Sequence, residues 1–445
     1  MNSSMKSPRK SSHLTQDLLS DCKNAFLALR TLELKIRNQA LKIFADLIEQ
    51  NERLLLEQNQ MDLEAFEGSN DESLYARLKL DVTKLEQVVH GVRDVASLPD
   101  PVGQLLERTQ LDSGLVLDKI SVPIGVIAIV FESRPDVIPQ ILSLALKSGN
   151  AVALKGGRES LQTNRAFMNL VSDLERQMPE LPSGWAKLVD TREDFRELLA
   201  YPEFVDLVIP RGSNELVREI MNSTQIPVLG HAEGVCHLYI HAKADITKSV
   251  EVAIDSKAQY PAVCNALETL LIDRKVAKDF LSGFEPAAID KAIEMRGCPK
   301  TRQILPNIEA ANDKDWRTEH GNLTLSIKIV DGLDDAVAHI SKFGSHHTDG
   351  ILTEDAAARE RFLANVDSAC VMANASTRFA DGFRFGMGAE VGISTAKTHA
   401  RGPVGLEGLT IYKYVLRGKG QVVSSYVGQE AKPFSHKKLP LTGRS

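Results

Sequence analysis

Cys264 lies where a thiol could do chemistry. The stretch AQYPAVCNALETLLI, residues 258–272, places it between a turn broken by Pro261 and a run that continues into a strand. A cysteine thiolate is a strong nucleophile towards a carbonyl carbon, whereas a buried cysteine more often serves as a small hydrophobic residue. The residues around Cys264 leave both interpretations open.

The other four cysteines show weaker signs of reactivity. Cys236 and Cys370 lie in apolar, strand-like runs. Cys22 lies on an amphipathic helix, and Cys298 precedes a proline in a loop. Five cysteines without a C-x-x-C pair or the spacing of a disulfide framework indicate free thiols in a reducing compartment. We therefore expect a cytoplasmic protein.

Glycines and charged residues follow three buried, strand-like runs. They are Lys155-Gly156-Gly157-Arg158 after AVAL, Arg211-Gly212-Ser213 after DLVIP, and Glu132-Ser133-Arg134-Pro135 after GVIAIVF. Taken singly, a Gly-Ser before a helix is usually an N-cap, and a lysine at a strand end is usually solvated. Because the carboxyl ends of parallel strands meet at one edge of a sheet, the three together predict a phosphate-bearing ligand. Neither G-x-G-x-x-G nor G-x-x-x-x-G-K-[ST] is present, so a dinucleotide would bind without its usual fingerprint.

His346, His347 and Asp349 raise the question of a metal site. Adjacent side chains on an extended segment point to opposite faces, and the sequence places no third ligand beside them. A loop, with His347 near a substrate, is the favoured interpretation, and no metal is predicted.

Alternating strands and helices must position these groups. The N-terminal part shows helical periodicity, and from Ile124 onwards continuous apolar runs alternate with amphipathic helices. This alternation predicts a doubly wound parallel sheet, and it starts again after Cys236, which predicts a second α/β domain. A hairpin turning at Asp112–Gly114 and the segment 407–426 alternate like strands outside these units, and they predict a β-ribbon.

Length and composition agree with this division. The chain has 445 residues, of which 43% are hydrophobic, enough for two domains with large cores. The formal net charge of -6 at pH 7 argues against nucleic acid or an anionic membrane as the main partner. No apolar run is long enough to span a membrane, and the polar start lacks the core of a secretory signal. The predicted parts are a disordered tail (1–14), a first α/β domain (15–105 and 125–234), a second α/β domain (235–406), the ribbon (106–124 and 407–426) and a C-terminal tail (427–445).

Eight stretches carry a more specific signal. They are PIGVIAIVFESRPDV, SGNAVALKGGRES, LVIPRGSNELV, IPVLGHAEGVCHLYI, AVCNALETLLI, GSHHTDGILTE, NASTRFADGFRFGMGAEVGIST and RGPVGLEGLTIYKYVLRG. From about Thr15 to Gly420 the chain resembles the aldehyde dehydrogenase superfamily and, more narrowly, its branch of reductases that act on gamma-glutamyl phosphate. The resemblance implies an aldehyde-dehydrogenase-like α/β fold, with two doubly wound α/β domains and a β-ribbon that serves as an oligomerisation element.

The resemblance also implies roles for individual residues. Cys264 would be the nucleophile, and NADPH would lie across the first domain. The cofactor-binding residues would be Lys155, Gly156, Gly157 and Arg158 at the adenosine ribose and its 2′-phosphate, Gly212 and Ser213 beside the dinucleotide, and Glu319 near the nicotinamide ribose. The expected substrate-binding residues are Ser133, Arg134 and His347. Asn265 is interpreted either as an oxyanion donor or as the cap of a turn.

The implied reaction is reduction of L-glutamate 5-phosphate to L-glutamate 5-semialdehyde and phosphate through a Cys264 thioester, the second step of proline biosynthesis. Hydrolytic members of the superfamily carry a glutamate base where this chain has His231-Ala232-Glu233-Gly234. The absence of this glutamate base suits an enzyme whose thioester must not be hydrolysed.

Two alternatives stay open, and they differ in chemistry. One is an aldehyde dehydrogenase for another semialdehyde, and the other is an inactive homologue that acts as a binding partner. The expected partners are a second copy of the chain, in a homodimer or homotetramer, and glutamate 5-kinase, which would hand over the substrate; no nucleic acid and no membrane are expected.

Overall fold

The N-terminal part of the chain is helical. The computed structural model describes residues 9–66, 75, 77–132, 134–231 and 233–441. Its first helices are α1 (Arg9–Leu29), α2 (Leu34–Gln50), α3 (Glu52–Phe66) and α4 (Val82–Ser97). Apolar residues recur at three- and four-residue steps, so that each helix turns one face inward. Leu41, Phe44 and Ile48 of α2 are buried in this way, in the same core as the first sheet.

The first sheet is parallel. Two strands, β1 (Leu105–Asp112) and β2 (Leu115–Pro123), lead into it. Its own elements are β3 (Val126–Phe131), α5 (Val137–Ser148), β4 (Ala151–Lys155), α6 (Leu161–Gln177), β5 (Ala186–Leu188), α7 (Arg192–Leu198), β6 (Leu207–Arg211) and α8 (Asn214–Ser223). The strand order is β5-β4-β3-β6. Every residue of β3 is buried, because helices cover both faces of a parallel sheet.

The second sheet is also parallel and larger. Its elements are β7 (Cys236–Ile240), α9 (Ile246–Ala258), β8 (Leu267–Asp273), α10 (Ala277–Asp290), β9 (Glu294–Gly297), α11 (Pro299–Arg302), β10 (Glu309–Ala310), β11 (Thr324–Val330), α12 (Leu333–Phe343), β12 (Thr348–Leu352), α13 (Ala356–Asn365) and β13 (Cys370–Ala373). The strand order is β10-β9-β11-β8-β7-β12-β13. The strands β8, β7 and β12 are therefore neighbours, and the loops that enter them meet at one edge of the sheet.

A third, antiparallel sheet lies apart from both α/β units. After a short pair, β14 (Ile393–Ser394) and β15 (Gly402–Pro403), the chain forms β16 (Thr410–Arg417) and later β17 (Lys437–Lys438). The strand order is β16-β2-β1-β17. The two α/β units and the separate ribbon predicted from the sequence are thus present. Among the helices described, none combines the length and the apolar composition needed to cross a membrane.

Both chain ends differ from the sequence-based prediction. Residues 9–14, predicted as part of a disordered tail, continue helix α1, whose Leu19 and Cys22 are anchored in the core; residues 1–8 lie outside the described residues. The predicted C-terminal tail contains β17, which pairs with Thr109 and Gln110 of β1. A two-residue strand has no pattern of its own, so only its partner reveals it.

One predicted domain boundary also differs. The segment up to residue 406 was assigned to the second domain. Val391, Val404, Leu406 and Leu409 are instead buried in the hydrophobic core that contains the first sheet. The chain therefore returns to the first unit before it forms β16, and this return helps to enclose the space between the two units.

Candidate active site

Two adjoining cavities lie where the carboxyl ends of the first sheet face the amino ends of the second. The larger has a volume of about 570 Å³ and the smaller about 340 Å³. Phe131 and Glu132, at the end of β3, line both. This edge of a parallel sheet is the usual ligand site of such folds.

The larger cavity collects most of the predicted cofactor residues. It is lined by the predicted residues Lys155, Gly156, Gly157, Arg158 and Ser213. A Cβ atom on Gly156 would lie 2.1 Å from the side-chain nitrogen of Asn164. Only glycine therefore allows the chain after β4 to run so close to α6.

A further cation, which sequence analysis missed, lines the larger cavity. Arg192 is the first residue of α7 and faces the cavity with Lys155 and Arg158. Burial lowers the pKa of Lys155, the charge of Glu159 acts against this, and Arg192 lowers that pKa further. Cations placed around one cavity favour a ligand that carries a phosphate group.

The start of α8 is organised differently from the prediction. The Ser213 backbone N–H donates to the carboxylate of Glu132 at 2.7 Å, and the Ser213 hydroxyl accepts from the N–H of Leu216 at 3.4 Å. Gly212 and Ser213 do lie at the cleft, but an internal carboxylate occupies this N–H. The predicted substrate residue Ser133 lies outside the described residues, whereas Arg134 lines the smaller cavity.

Cys264 lies in the smaller cavity, just before β8. Its side chain is partly exposed, whereas the other four cysteines are buried. Burial raises the pKa of Cys22 to about 12 and that of Cys370 to about 11. A Cβ atom on Gly234 would lie 2.0 Å from the Cys264 carbonyl oxygen, so glycine is required for the loop before β7 to pass this close to Cys264.

Two histidines stand beside the thiol. One ring nitrogen each of His231 and His347 and the Sγ of Cys264 all lie within 4.8 Å of one another. The Nδ1–H of His231 donates to the carbonyl oxygen of Ile393 at 2.8 Å, so that the neutral ring keeps a lone pair on Nε2. His231 lines the cavity, whereas His347 is fully buried. The prediction that His347 touches substrate is therefore not supported by its burial, and His231 is the histidine that faces the ligand space.

Two arginines to which sequence analysis assigned no role face the same cavity. Arg211 ends β6, and its Nη1 is buried without a hydrogen-bond partner among the described residues. Arg378 is 8% exposed and donates through Nε to Gln259 at 2.9 Å. Burial lowers the pKa of both guanidinium groups, and the negative charge of Cys264 acts in the opposite direction on each. A negative charge on Cys264 therefore favours the charged form of both guanidinium groups.

Asn265 joins two segments of the second unit. Its Nδ2 donates to the carbonyl oxygen of Ala380 at 2.8 Å, and the side chain is 4% exposed. An amide nitrogen carries two hydrogens, so one remains after this contact. This contact ties the loop before β8 to the segment at Ala380, and the role of Asn265 as an oxyanion donor stays a prediction.

Glu319 lies at the smaller cavity, and its role beside the nicotinamide ribose stays a prediction. Its carboxylate accepts from the Gly234 N–H at 2.9 Å and from Asn214 at 3.4 Å. Behind it, Lys257 and Glu268 form a buried ion pair at 2.7 Å. Glu268 also accepts from the Gly321 N–H at 3.3 Å, so the pair anchors the loop that carries Glu319.

Comparison with known proteins agrees with this geometry. Residues 3–312 match the family model described as the aldehyde dehydrogenase family. The acetylating aldehyde dehydrogenase of Geobacillus thermoglucosidasius shares 16% identity at a TM-score of 0.64, covering 93% of this chain and 98% of that one, a likeness of fold alone. The fold and the cysteine cleft thus define an oxidoreductase of the aldehyde dehydrogenase type.

Closer relatives narrow the assignment. A gamma-glutamyl phosphate reductase from Synechococcus sp. (strain JA-3-3Ab) is 51% identical over 421 residues, which cover 93% of this chain and 92% of the relative. The crystal structure of the gamma-glutamyl phosphate reductase of Thermotoga maritima matches with a TM-score of 0.89 and 37% identity, covering 92% of this chain and 99% of that one. The chain belongs to the gamma-glutamyl phosphate reductases of the aldehyde dehydrogenase family.

Proposed function

We propose that this protein reduces L-glutamate 5-phosphate (gamma-glutamyl phosphate) to L-glutamate 5-semialdehyde and phosphate, with NADPH as reductant, in the biosynthesis of proline. Reduction of gamma-glutamyl phosphate follows from the family to which the chain belongs. The observation that carries the mechanism is the partly exposed thiol of Cys264, which stands beside His231 and shares a cavity with the guanidinium groups of Arg211 and Arg378.

Cys264 acts as the nucleophile. Its thiol gives its proton to Nε2 of His231, and the thiolate attacks the γ-carbonyl carbon. The C–O bond to phosphate breaks, phosphate leaves with the bonding electron pair, and a thioester forms. A thiolate suits both steps, because it attacks readily and leaves readily once the carbon has been reduced.

The remaining groups of the site stabilise charge and return the proton. The Cys264 N–H and the second N–H of Asn265 would donate to the oxyanion. NADPH, which Lys155, Arg158 and Glu319 would hold, would supply the hydride that reduces the thioester. His231 then returns its proton, and Cys264 leaves as the aldehyde forms. His231 stands where hydrolytic relatives carry glutamate, and the thioester is therefore reduced and not hydrolysed.

Arginines hold the substrate anions. The Nη1 of Arg211 is buried and finds no hydrogen-bond partner in the described part of the chain, and Arg134 lines the same cavity. Among the described residues, Arg378 donates from its Nε to Gln259 and has its terminal nitrogens left for a ligand. Guanidinium groups match phosphate and carboxylate in two-point contacts. We assign the departing phosphate to Arg211 and Arg378.

The larger cavity suits the adenosine end of NADPH. Lys155, Arg158 and Arg192 provide the positive charge that a 2′-phosphate needs, and Gly156 and Gly157 leave the backbone open to a ligand. Glu319, held by Gly234 and Asn214, would accept from the nicotinamide ribose. The residues proposed for the adenosine end and for the nicotinamide end of NADPH line two cavities that adjoin at Phe131 and Glu132.

The cellular setting follows from the same chemistry. The five cysteines, all within the described ranges, are free, which suits a reducing, cytoplasmic location. An acyl phosphate is hydrolysed by water, and we therefore expect direct handover from glutamate 5-kinase. We also propose that the antiparallel ribbon joins copies of the chain into a homodimer or homotetramer.

The test follows the reaction backwards. With the intact protein, reduction of NADP+ by L-glutamate 5-semialdehyde should require phosphate. Cys264→Ser should abolish turnover and keep NADPH binding, measured by fluorescence, whereas Cys298→Ser, at a buried cysteine outside the cleft, should keep both. Turnover without phosphate would point to a different aldehyde dehydrogenase reaction. Comparable activity of Cys264→Ser would refute the covalent mechanism.

A further inference from the structure

Cys264 and the two histidines beside it have the composition of a zinc site. His231, Cys264 and His347 bring one ligand atom each to within 4.8 Å of the others. They come from the loops that enter the neighbouring strands β7, β8 and β12, so that the order of the second sheet brings them together. Sequence analysis placed no third ligand beside His346 and His347, and the fold supplies two ligands to His347 from distant segments.

The hydrogen bonds of the two histidines suit metal binding. His231 uses Nδ1 to donate to the Ile393 carbonyl at 2.8 Å, which leaves Nε2 as a ligand. His347 has Thr348 Oγ1 2.9 Å from its Nδ1. Its Nε2 is buried and has no hydrogen-bond partner within the described part of the chain. Metal-bound histidines commonly hold their second nitrogen in this manner, and an unpaired buried nitrogen is costly without a ligand.

The spacing is close to what tetrahedral zinc requires. Bonds of about 2.3 Å to sulfur and about 2.0–2.1 Å to nitrogen place ligand atoms roughly 3.3–3.6 Å apart. The cluster must therefore contract by about an ångström, which rotation of the three side chains can supply. With three protein ligands, a fourth position stays open towards the cavity for water or an anion.

The charges nearby act in both directions. Arg211 and Arg378 repel a cation, whereas Glu319 and Glu390 line the same cavity and offset them. A thiolate and two neutral imidazoles give a zinc complex of net charge +1, which an anion at the open position would neutralise.

We propose that His231, Cys264 and His347 form a binding site for Zn²⁺ that reversibly inhibits the enzyme. The bound metal holds the Cys264 thiolate and the His231 lone pair, which the substrate needs, so zinc and acyl phosphate exclude each other. The inhibition rests on the proposed role of Cys264 in catalysis, whereas the binding of metal does not.

Binding is tested with cobalt as a spectroscopic probe. The full-length protein, freed of metal with a chelator and kept reduced, is titrated with Co²⁺. A thiolate-to-cobalt charge-transfer band should appear, and Zn²⁺ should remove it. Cys264→Ser should lose the band. His231→Ala and His347→Ala should weaken metal binding at least about ten-fold, since even the loss of a supporting contact costs roughly 10–100-fold.

Two controls keep the test decisive. His90→Ala, at an exposed histidine on α4, and Cys298→Ser should bind the metal as the unchanged protein does. His347→Gln, with folding checked by circular dichroism, replaces His347→Ala if that variant does not fold. No charge-transfer band in the unchanged protein, or a band that persists in both histidine variants, would overturn the proposal.

Activity separates this proposal from the proposed function. Zn²⁺ should inhibit turnover, more L-glutamate 5-semialdehyde in the reverse assay should relieve the inhibition because it competes for Cys264, and a chelator should restore the rate fully. Zinc that binds the three residues without slowing turnover would leave the site standing and would contradict the role of Cys264 as nucleophile.

Discussion

Arg211 brings a buried and incompletely paired guanidinium to the cavity that contains Cys264. A buried cation is costly unless a partner of opposite charge arrives. Glu390 provides part of that partnership, and Arg134 opposes it. We therefore expect the phosphate group of the substrate to pair with Arg211. This ion pair forms only when the acyl phosphate is bound.

The first prediction concerns this cation. Arg211→Gln and Arg378→Gln should each raise the Michaelis constant for phosphate in the reverse reaction by about ten-fold or more, because a charge-assisted hydrogen bond is worth roughly 1.5–3 kcal/mol. The constant for NADP+ should change little. Arg361→Gln, on the exposed surface of α13, is the matched control. A change in the NADP+ constant alone would show that the arginines are not at the substrate.

The second prediction concerns the choice of cofactor. Arg158→Ala and Arg192→Ala should raise the Michaelis constant for NADPH by about ten-fold or more and leave that for NADH nearly unchanged, because only NADPH carries the 2′-phosphate. Arg165→Ala removes a neighbouring cation on α6 that does not line the cavity and should affect neither. Equal effects on both cofactors would assign Arg158 and Arg192 a structural role.

Sequence reasoning found the groups that follow a local pattern. Lys155, Gly156 and Arg158 follow one buried strand, and the cleft contains all three. Arg211 and Arg378 belong to different domains, and only the closure of one sheet on the other brings them to Cys264. The spacing of residues along the chain does not show that these arginines lie near Cys264, so their role could not be predicted from the sequence.

At the scale of elements, Asp118 ties three strands of the ribbon together. It is 1% exposed, lies on β2, and accepts from Arg108 of β1 at 2.6 and 2.9 Å. It also accepts from Arg417 of β16. The hydrogen bonds of Arg108 lower the pKa of Asp118, and Arg417 lowers it further. Much of the ribbon's internal order thus depends on one carboxylate.

The third prediction is a pH dependence of stability. Because the folded pKa of Asp118 lies below its unfolded value of about 3.9, its stabilisation is fully present above that value. It is lost as pH falls through the lower folded pKa. The unchanged protein should unfold at higher denaturant concentration than Asp118→Asn at pH 7, and the gap should shrink below about pH 4. Asp313→Asn, at an exposed loop position, should show no such gap. An equal gap at both pH values would exclude the ion pairs as its source.

The elements themselves differ in how well sequence predicts them. Continuous apolar runs such as β3 are predicted reliably as strands of a parallel sheet, because helices cover both faces of such a strand and bury all its side chains. Val228 lies in the apolar stretch 226–230 and makes an isolated bridge to Val208. Likewise β17 consists of two exposed lysines and owes its existence to β1. Short edge strands are defined by their neighbours, which a single sequence does not display.

At the scale of the whole molecule, the two outer strands of the ribbon sheet, β16 and β17, come from the C-terminal part of the chain, far in sequence from the inner strands β1 and β2. Strand β16 pairs with β2 through eight residues and forms an outer edge of the sheet. Its exposed side chains include Tyr412 (44%), Tyr414 (60%) and Leu416 (56%), which share one face with alternate spacing. An exposed edge strand with an apolar face invites pairing with another chain.

The last prediction is that this strand joins two copies of the chain. Light scattering of the intact protein at micromolar concentration should give at least the mass of a dimer, since closed symmetric pairs are the commonest assemblies. The double variant Tyr414→Arg with Leu416→Asp should shift the mass towards the monomer and lower turnover. Ile289→Asp, which places an aspartate, as in Leu416→Asp, on a similarly exposed position of α10 (65%), should do neither. β16 begins just after Leu409, whose side chain is buried in the first unit's core. Pairing of β16 with a second copy should therefore also hold in place the segment that encloses the cleft. A monomer mass for the intact protein would remove that link between assembly and activity.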